Sequence, residues 1–116
     1  LRLLLEQISG ARTASFLAVL KTLGGRGHGY LSFPLRGYTL ALDFPRRAGI
    51  EDLLARLERI THDHGGRIYL AKDAVLSAPG FARMYPDIGR LQEVLARVDP
   101  HRRFCSDMAR RLGLRP

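Results

Sequence analysis

Residues Gly37–Pro45 read GYTLALDFP, and their alternation predicts a half-buried β-strand with Tyr38, Leu40, Leu42 and Phe44 on one face and Thr39, Ala41 and Asp43 on the other. Pro45 has no amide proton to offer a ladder, so the strand ends there. Upstream, TASFLAVLKT (Thr13–Thr22) fits a helix or a strand. The strand is preferred because both of its faces, Ser15, Leu17, Val19 and Lys21 on one side and Phe16, Ala18 and Leu20 on the other, would be mostly covered. GGRGHG (Gly24–Gly29) between the two strands is a flexible loop.

Helical patterns surround this pair. Leu1, Leu4, Leu5 and Ile8 form a short first stripe stopped by Gly10, and Ile50, Leu53, Leu54, Leu57 and Ile60 form a longer one from Gly49 to His64. Glu51 and Asp52 suit the positive end of that second helix, and Gly65 and Gly66 end it. RIYL (Arg67–Leu70) is expected as a short third strand. Ser77 then caps APGFARMY with Pro79 in its first turn, a stripe of Ile88, Leu91, Val94, Leu95 and Val98 follows, and Ser106 caps DMARRLGL. The fold class is therefore α+β. Its first five elements match a ferredoxin-like βαββαβ unit that lacks its first strand, with helices on one sheet face and further helices C-terminal. Leu40, Leu42 and Phe44 would lie under the helices, leaving Thr39, Ala41 and nearby Lys21 on a face open to a ligand. The missing strand would expose a sheet edge, to be met by a homodimer or by strand exchange.

A chain of 116 residues, 46% hydrophobic and 26% charged, can form one folding unit with a modest core. The opening LRLLLEQIS is too short and mixed for a signal peptide, and no run approaches the ~18 apolar residues of a membrane span, so a cytoplasmic location is expected. The chain enters directly on an amphipathic pattern without an initial methionine, which suggests a piece of a longer protein. Its net charge of +8 comes from dispersed arginines, which favours solvated faces over a nucleic-acid partner.

Chemistry-bearing clusters are sparse. Arg36, Gly37 and Tyr38 open like an RNA-recognition motif, but Leu40 and Asp43 stand where stacking aromatics are needed. His62 and His64 lack the further ligands of a zinc site, so no metal is expected. Cys105 has no histidine beside it in sequence and reads as a small hydrophobe. GGRGHG lacks the spacing of a nucleotide-binding loop. The lysines stand out instead. Seventeen arginines accompany only Lys21 and Lys72, and a compact ammonium differs from a planar, permanently charged guanidinium chiefly in confined chemistry. Lys72 closes GGRIYLAKDA (Gly65–Ala74), where a strand-end side chain can project into a cleft between layers.

The segments LSFPLRGYTLALDFP, GGRIYLAKDA with the later MYP, and VDPHRRFCSDMARRLGL occur in this order. Together they resemble the C-terminal part of FAD-dependent oxidoreductases of the vanillyl-alcohol oxidase superfamily, nearer the decaprenylphosphoryl-ribose oxidases than the aldonolactone oxidases. The resemblance runs from about Leu1 to Leu114. It implies a sugar or polyol substrate, lipid-linked in the first group and then consistent with peripheral membrane contact. It also implies FAD bound mainly by a separate domain, and a chain inactive by itself. Residues 1–71 would supply the substrate-domain sheet and helices, and residues 72–116 a helical segment packing on the flavin domain. Lys72 resembles the essential lysine beside flavin and substrate, Lys21 a second pocket lysine, and Tyr69 and Ala71 flavin-contacting neighbours. A buried ammonium there could orient the substrate hydroxyl or stabilise charge on the flavin. Two departures concern the substrate. Ala41 stands where the lipid-linked ribose oxidases carry a reactive cysteine and Thr39 where they carry asparagine, while YLAK replaces the HWGK of the aldonolactone oxidases.

Overall fold

The structure, a computed structural model, describes residues 1–13 and 15–115. Its elements in chain order are α1 (Arg2–Gly10), β1 (Leu17–Leu23), β2 (Gly37–Asp43), α2 (Ile50–Asp63), a 3-10 turn (Leu70–Lys72), α3 (Ala78–Met84), α4 (Ile88–Val98) and α5 (Asp107–Arg111). The architecture is mixed α+β, with a two-stranded antiparallel sheet and five α-helices among the described residues. The register runs from Leu17 opposite Asp43 to Leu23 opposite Gly37. No described helix is long and apolar enough to cross a membrane.

Two apolar clusters organise the chain. In the first, α2 buries Ile50, Leu53 and Leu57, and Leu4 and Ile8 of α1 pack on them together with Phe44, just beyond β2. Gly49 starts α2 at φ 80°, a left-handed conformation in which a side chain would be strained. In the second cluster, Leu76, Phe81, Met84, Tyr85 and Leu112 are buried, with Leu31, Ile68, Leu70, Ile88 and Leu114 packed around them. A polar strut joins the helices of the two clusters. The Ser77 hydroxyl accepts from the Gly80 amide at the start of α3 and donates to the Glu58 carboxylate of α2 at 3.0 Å. Gly80 permits this approach, since a Cβ there would lie 1.9 Å from Glu58 Oε1.

The structure corrects two expectations. Arg67–Leu70 is not a third strand, because its residues are held by side chains from afar rather than by a ladder. Arg67 donates to the Ser32 carbonyl at 2.7 Å and lies over the Tyr85 ring, while the Tyr85 hydroxyl donates to the Ile68 carbonyl at 2.6 Å. Burial pushes that hydroxyl up to about 12, against the opposing charge of Arg67, so it remains a donor. The sheet is also not covered by helices. The helices pack on one another, α1 on α2 and α2 on α3, and of the residues expected beneath them, Leu40, Leu42 and Phe44, only Phe44, just beyond β2, joins a core cluster. Leu40 and Leu42 are half-buried, while Tyr38 is 69% and Leu20 52% exposed. Thr13–Thr22 does contribute a strand, though it begins at Leu17 and its faces are more open than expected; Ala14 lies outside the described residues.

Candidate functional site

Strand register decides which side chains share a face. Leu17, Val19, Lys21 and Leu23 alternate to the same side of β1, and their partners Asp43, Ala41, Thr39 and Gly37 lie on that side of β2. Lys21 is directly opposite Thr39, so the two Cβ atoms are about 5 Å apart. At the other end of this face the Asp43 carboxylate accepts from Lys72 Nζ at 3.0 Å. The structure thus brings Lys21, Thr39, Ala41 and Lys72, four residues singled out from sequence, to one sheet face. Thr39 and Asp43 are four positions apart, so the two lysines mark sites separated by about 13 Å along the strand.

Lys72 reaches this face from the 3-10 turn rather than from a strand end. Its amide donates to the Tyr69 carbonyl at 3.0 Å, and the following residue anchors the turn. The buried Asp73 carboxylate accepts from the amides of Val75 and Leu76 at 3.0 and 2.7 Å and from the Arg111 guanidinium of α5 at 2.6 Å. Upstream, the Tyr85–Ile68 hydrogen bond holds the approach. The Lys72 backbone is therefore fixed on both sides, and its side chain is the adjustable part. Tyr69 is half exposed with its ring 4.7 Å from that of Phe33, and Ala71 is exposed.

Neither lysine is buried within this chain, contrary to expectation. Lys21 is exposed and its side chain has no hydrogen-bond or ion-pair partner among the described residues. The Lys72 and Asp43 side chains are 47% and 39% exposed, so solvent screens their pair and it contributes at most about 1 kcal/mol to stability. Their contact defines a position more than it supports the fold. Hollows on the described surface at Arg46–Asp52 and along α1 are lined by none of these residues.

Sequence reasoning missed Asp43 as a partner of Lys72, although alternation already put Asp43 on the face with Thr39 and Ala41. It also missed Asp73 and Arg111, whose contact spans 38 residues and leaves no local pattern. His62 and His64 gain no further ligand, and no group of three or more metal-binding side chains exists among the described residues.

The two-stranded face carries two ammonium groups beside the small side chains of Thr39 and Ala41, with no ligand-sized enclosure built by these residues among the described ones. Residues 18–112 match the family model described as D-arabinono-1,4-lactone oxidase, and the chain belongs to that family. It is 43% identical over 100 residues to the decaprenylphosphoryl-β-D-ribose oxidase of Mycolicibacterium smegmatis, covering 86% of this chain and 22% of that protein. It is also 40% identical over 115 residues to a Streptomyces coelicolor protein described as "Uncharacterized protein in mprA 5'region", covering 98% of this chain and 31% of the relative. The chain thus spans less than a third of the length of these relatives. Members of the family are FAD-dependent oxidases acting on CH-OH groups.

The chemistry of the face fits such a cofactor. An ammonium without an ion-pair partner, a second ammonium with donors to spare, and the half-exposed Tyr69 ring beside Phe33 suit a planar ring that gains negative charge when it accepts a hydride.

Proposed function

We propose that this chain is the C-terminal, substrate-side segment of an FAD-linked oxidoreductase that oxidises a hydroxyl of a sugar or polyol, lipid-linked sugars included, and that it is inactive in isolation. The single observation that carries this reading is the gathering of Lys21, Thr39, Ala41 and Lys72 on one open sheet face of a chain matched to an oxidase family over residues 18–112. Bound FAD would supply the hydride acceptor. Lys72 orients the substrate hydroxyl or places positive charge where negative charge develops, and Lys21 holds a second polar group of the substrate. Thr39 and Ala41, being small, leave room for a sugar ring, and the Thr39 hydroxyl can donate to it.

On this reading residues 1–71 belong to the substrate domain, and residues 72–116 pack on a flavin-binding domain. The two outer sheet edges would be completed by further strands, giving a ferredoxin-like sheet, or by a second copy. The test is the visible absorbance of the full-length protein. A flavin spectrum that is retained, or regained on adding FAD, and that bleaches anaerobically with a sugar or polyol supports the proposal. A full-length protein that neither retains nor rebinds FAD removes it.

A further inference from the structure

We propose that Asp43 is the positioning residue of Lys72, a fixed carboxylate that aims the ammonium along the face carrying Ala41 and Thr39. The inference rests on the reading of Lys72 as a site lysine. The fixed end of the contact is the strand. Asp43 is the last paired residue of β2, opposite Leu17, and its amide donates to Ser15 Oγ at 2.9 Å. The next residue, Phe44, is packed into the α1–α2 cluster, so the Asp43 backbone is held from both sides.

The mobile end is the long Lys72 stem, whose backbone is pinned by the turn and by Asp73 but whose four torsions are not. Among the described residues the Asp43 carboxylate is the only ion-pair partner of Lys72, and Lys72 the only one of Asp43. The pair is too exposed to serve as a stability device. It commits one of the three ammonium hydrogens and leaves two for substrate or cofactor. Lys21, opposite Thr39 and four positions along the sheet from the Asp43 pair, has no carboxylate partner among the described residues and stays available to a polar or anionic group of the ligand.

The test has two arms. In the full-length protein with flavin removed, acylation by a water-soluble amine reagent is followed by mass spectrometry, with Lys21 as internal reference for Lys72. Asp43→Asn should raise the Lys72-to-Lys21 labelling ratio about threefold, the size expected for releasing a half-exposed pair, and Asp43→Glu should restore most of the protection. An unchanged ratio in Asp43→Asn overturns the tether whatever the protein's activity. In the holoenzyme, Asp43→Asn should lower the limiting rate of substrate-dependent flavin reduction on the order of tenfold or more, as expected for a misaimed group, with little change in substrate affinity. Asp43→Asn combined with Lys72→Met should be no slower than Lys72→Met alone, because Asp43 acts through Lys72. Additive losses, or no loss in the single variant, contradict the proposal. A wild-type holoenzyme with no flavin reduction by any sugar or polyol defeats the functional reading instead, and the labelling arm still decides the tether.

Discussion

An ammonium and a guanidinium carry the same charge but not the same geometry, and the difference matters at Lys72. Lys72→Arg would place a planar fork on the Asp43 carboxylate, where a bidentate pair would hold it back from the rest of the face. Flavin reduction in the full-length enzyme should therefore fall on the order of a hundredfold, although charge is conserved and the melting temperature is nearly unchanged. A second acid acts purely on the fold. Asp99 is buried and accepts from the amides of Arg103 and Phe104 and from the Arg115 guanidinium at 2.9–3.1 Å. Those amide hydrogen bonds, Arg103 first, hold its carboxyl below its ordinary value of 3.8. A folded value depressed below the unfolded one gives stabilisation that is complete above the unfolded value and lost as pH falls through the folded one. The urea midpoint should thus drop as pH is lowered from about 5 to about 3, and Asp99→Asn should be less stable at neutral pH with a shallower acid limb. Equal acid slopes in the two proteins would contradict this assignment.

At the scale of elements, local signals sufficed where local physics decides. The stripe and flanking glycines of Gly49–His64 anticipate α2 at Ile50–Asp63, and Ser77 and Ser106 cap α3 and α5 through the amides of Gly80 and Ala109. Ser77→Ala should cost about 1 kcal/mol for the lost cap, somewhat more because Glu58 also loses its partner, measurable as a lower urea midpoint. RIYL was not readable in the same way. Its conformation depends on Ser32 and Tyr85, 35 and 17 residues away, whose hydrogen bonds replace a strand ladder. The Lys72 site was half readable: alternation put Lys21, Thr39 and Ala41 on matching faces, but nothing local shows that the turn delivers Lys72 to Asp43.

The whole molecule is more open than its length requires. Its radius of gyration is 15.4 Å, where a compact domain of this size would have about 13 Å. Phe16, Tyr38 and Phe104 are 87%, 69% and 83% exposed, and both outer sheet edges are unpaired among the described residues. The described residues thus form two small cores flanked by surfaces that favour burial. Sedimentation of the 116-residue chain should show association that grows with concentration, and a strictly monomeric chain at high concentration would contradict exposed edges as a pairing surface. Within the second core, Phe81→Ala should cost about 3–5 kcal/mol, because this α3 side chain is fully buried among Leu76, Met84, Tyr85 and Leu112.

The most direct measurement is anaerobic stopped-flow of the full-length Lys72→Met protein, following flavin bleaching on mixing with substrate. The variant should fold, retain FAD and lose substrate-dependent bleaching; a near-normal rate would remove Lys72 from the site.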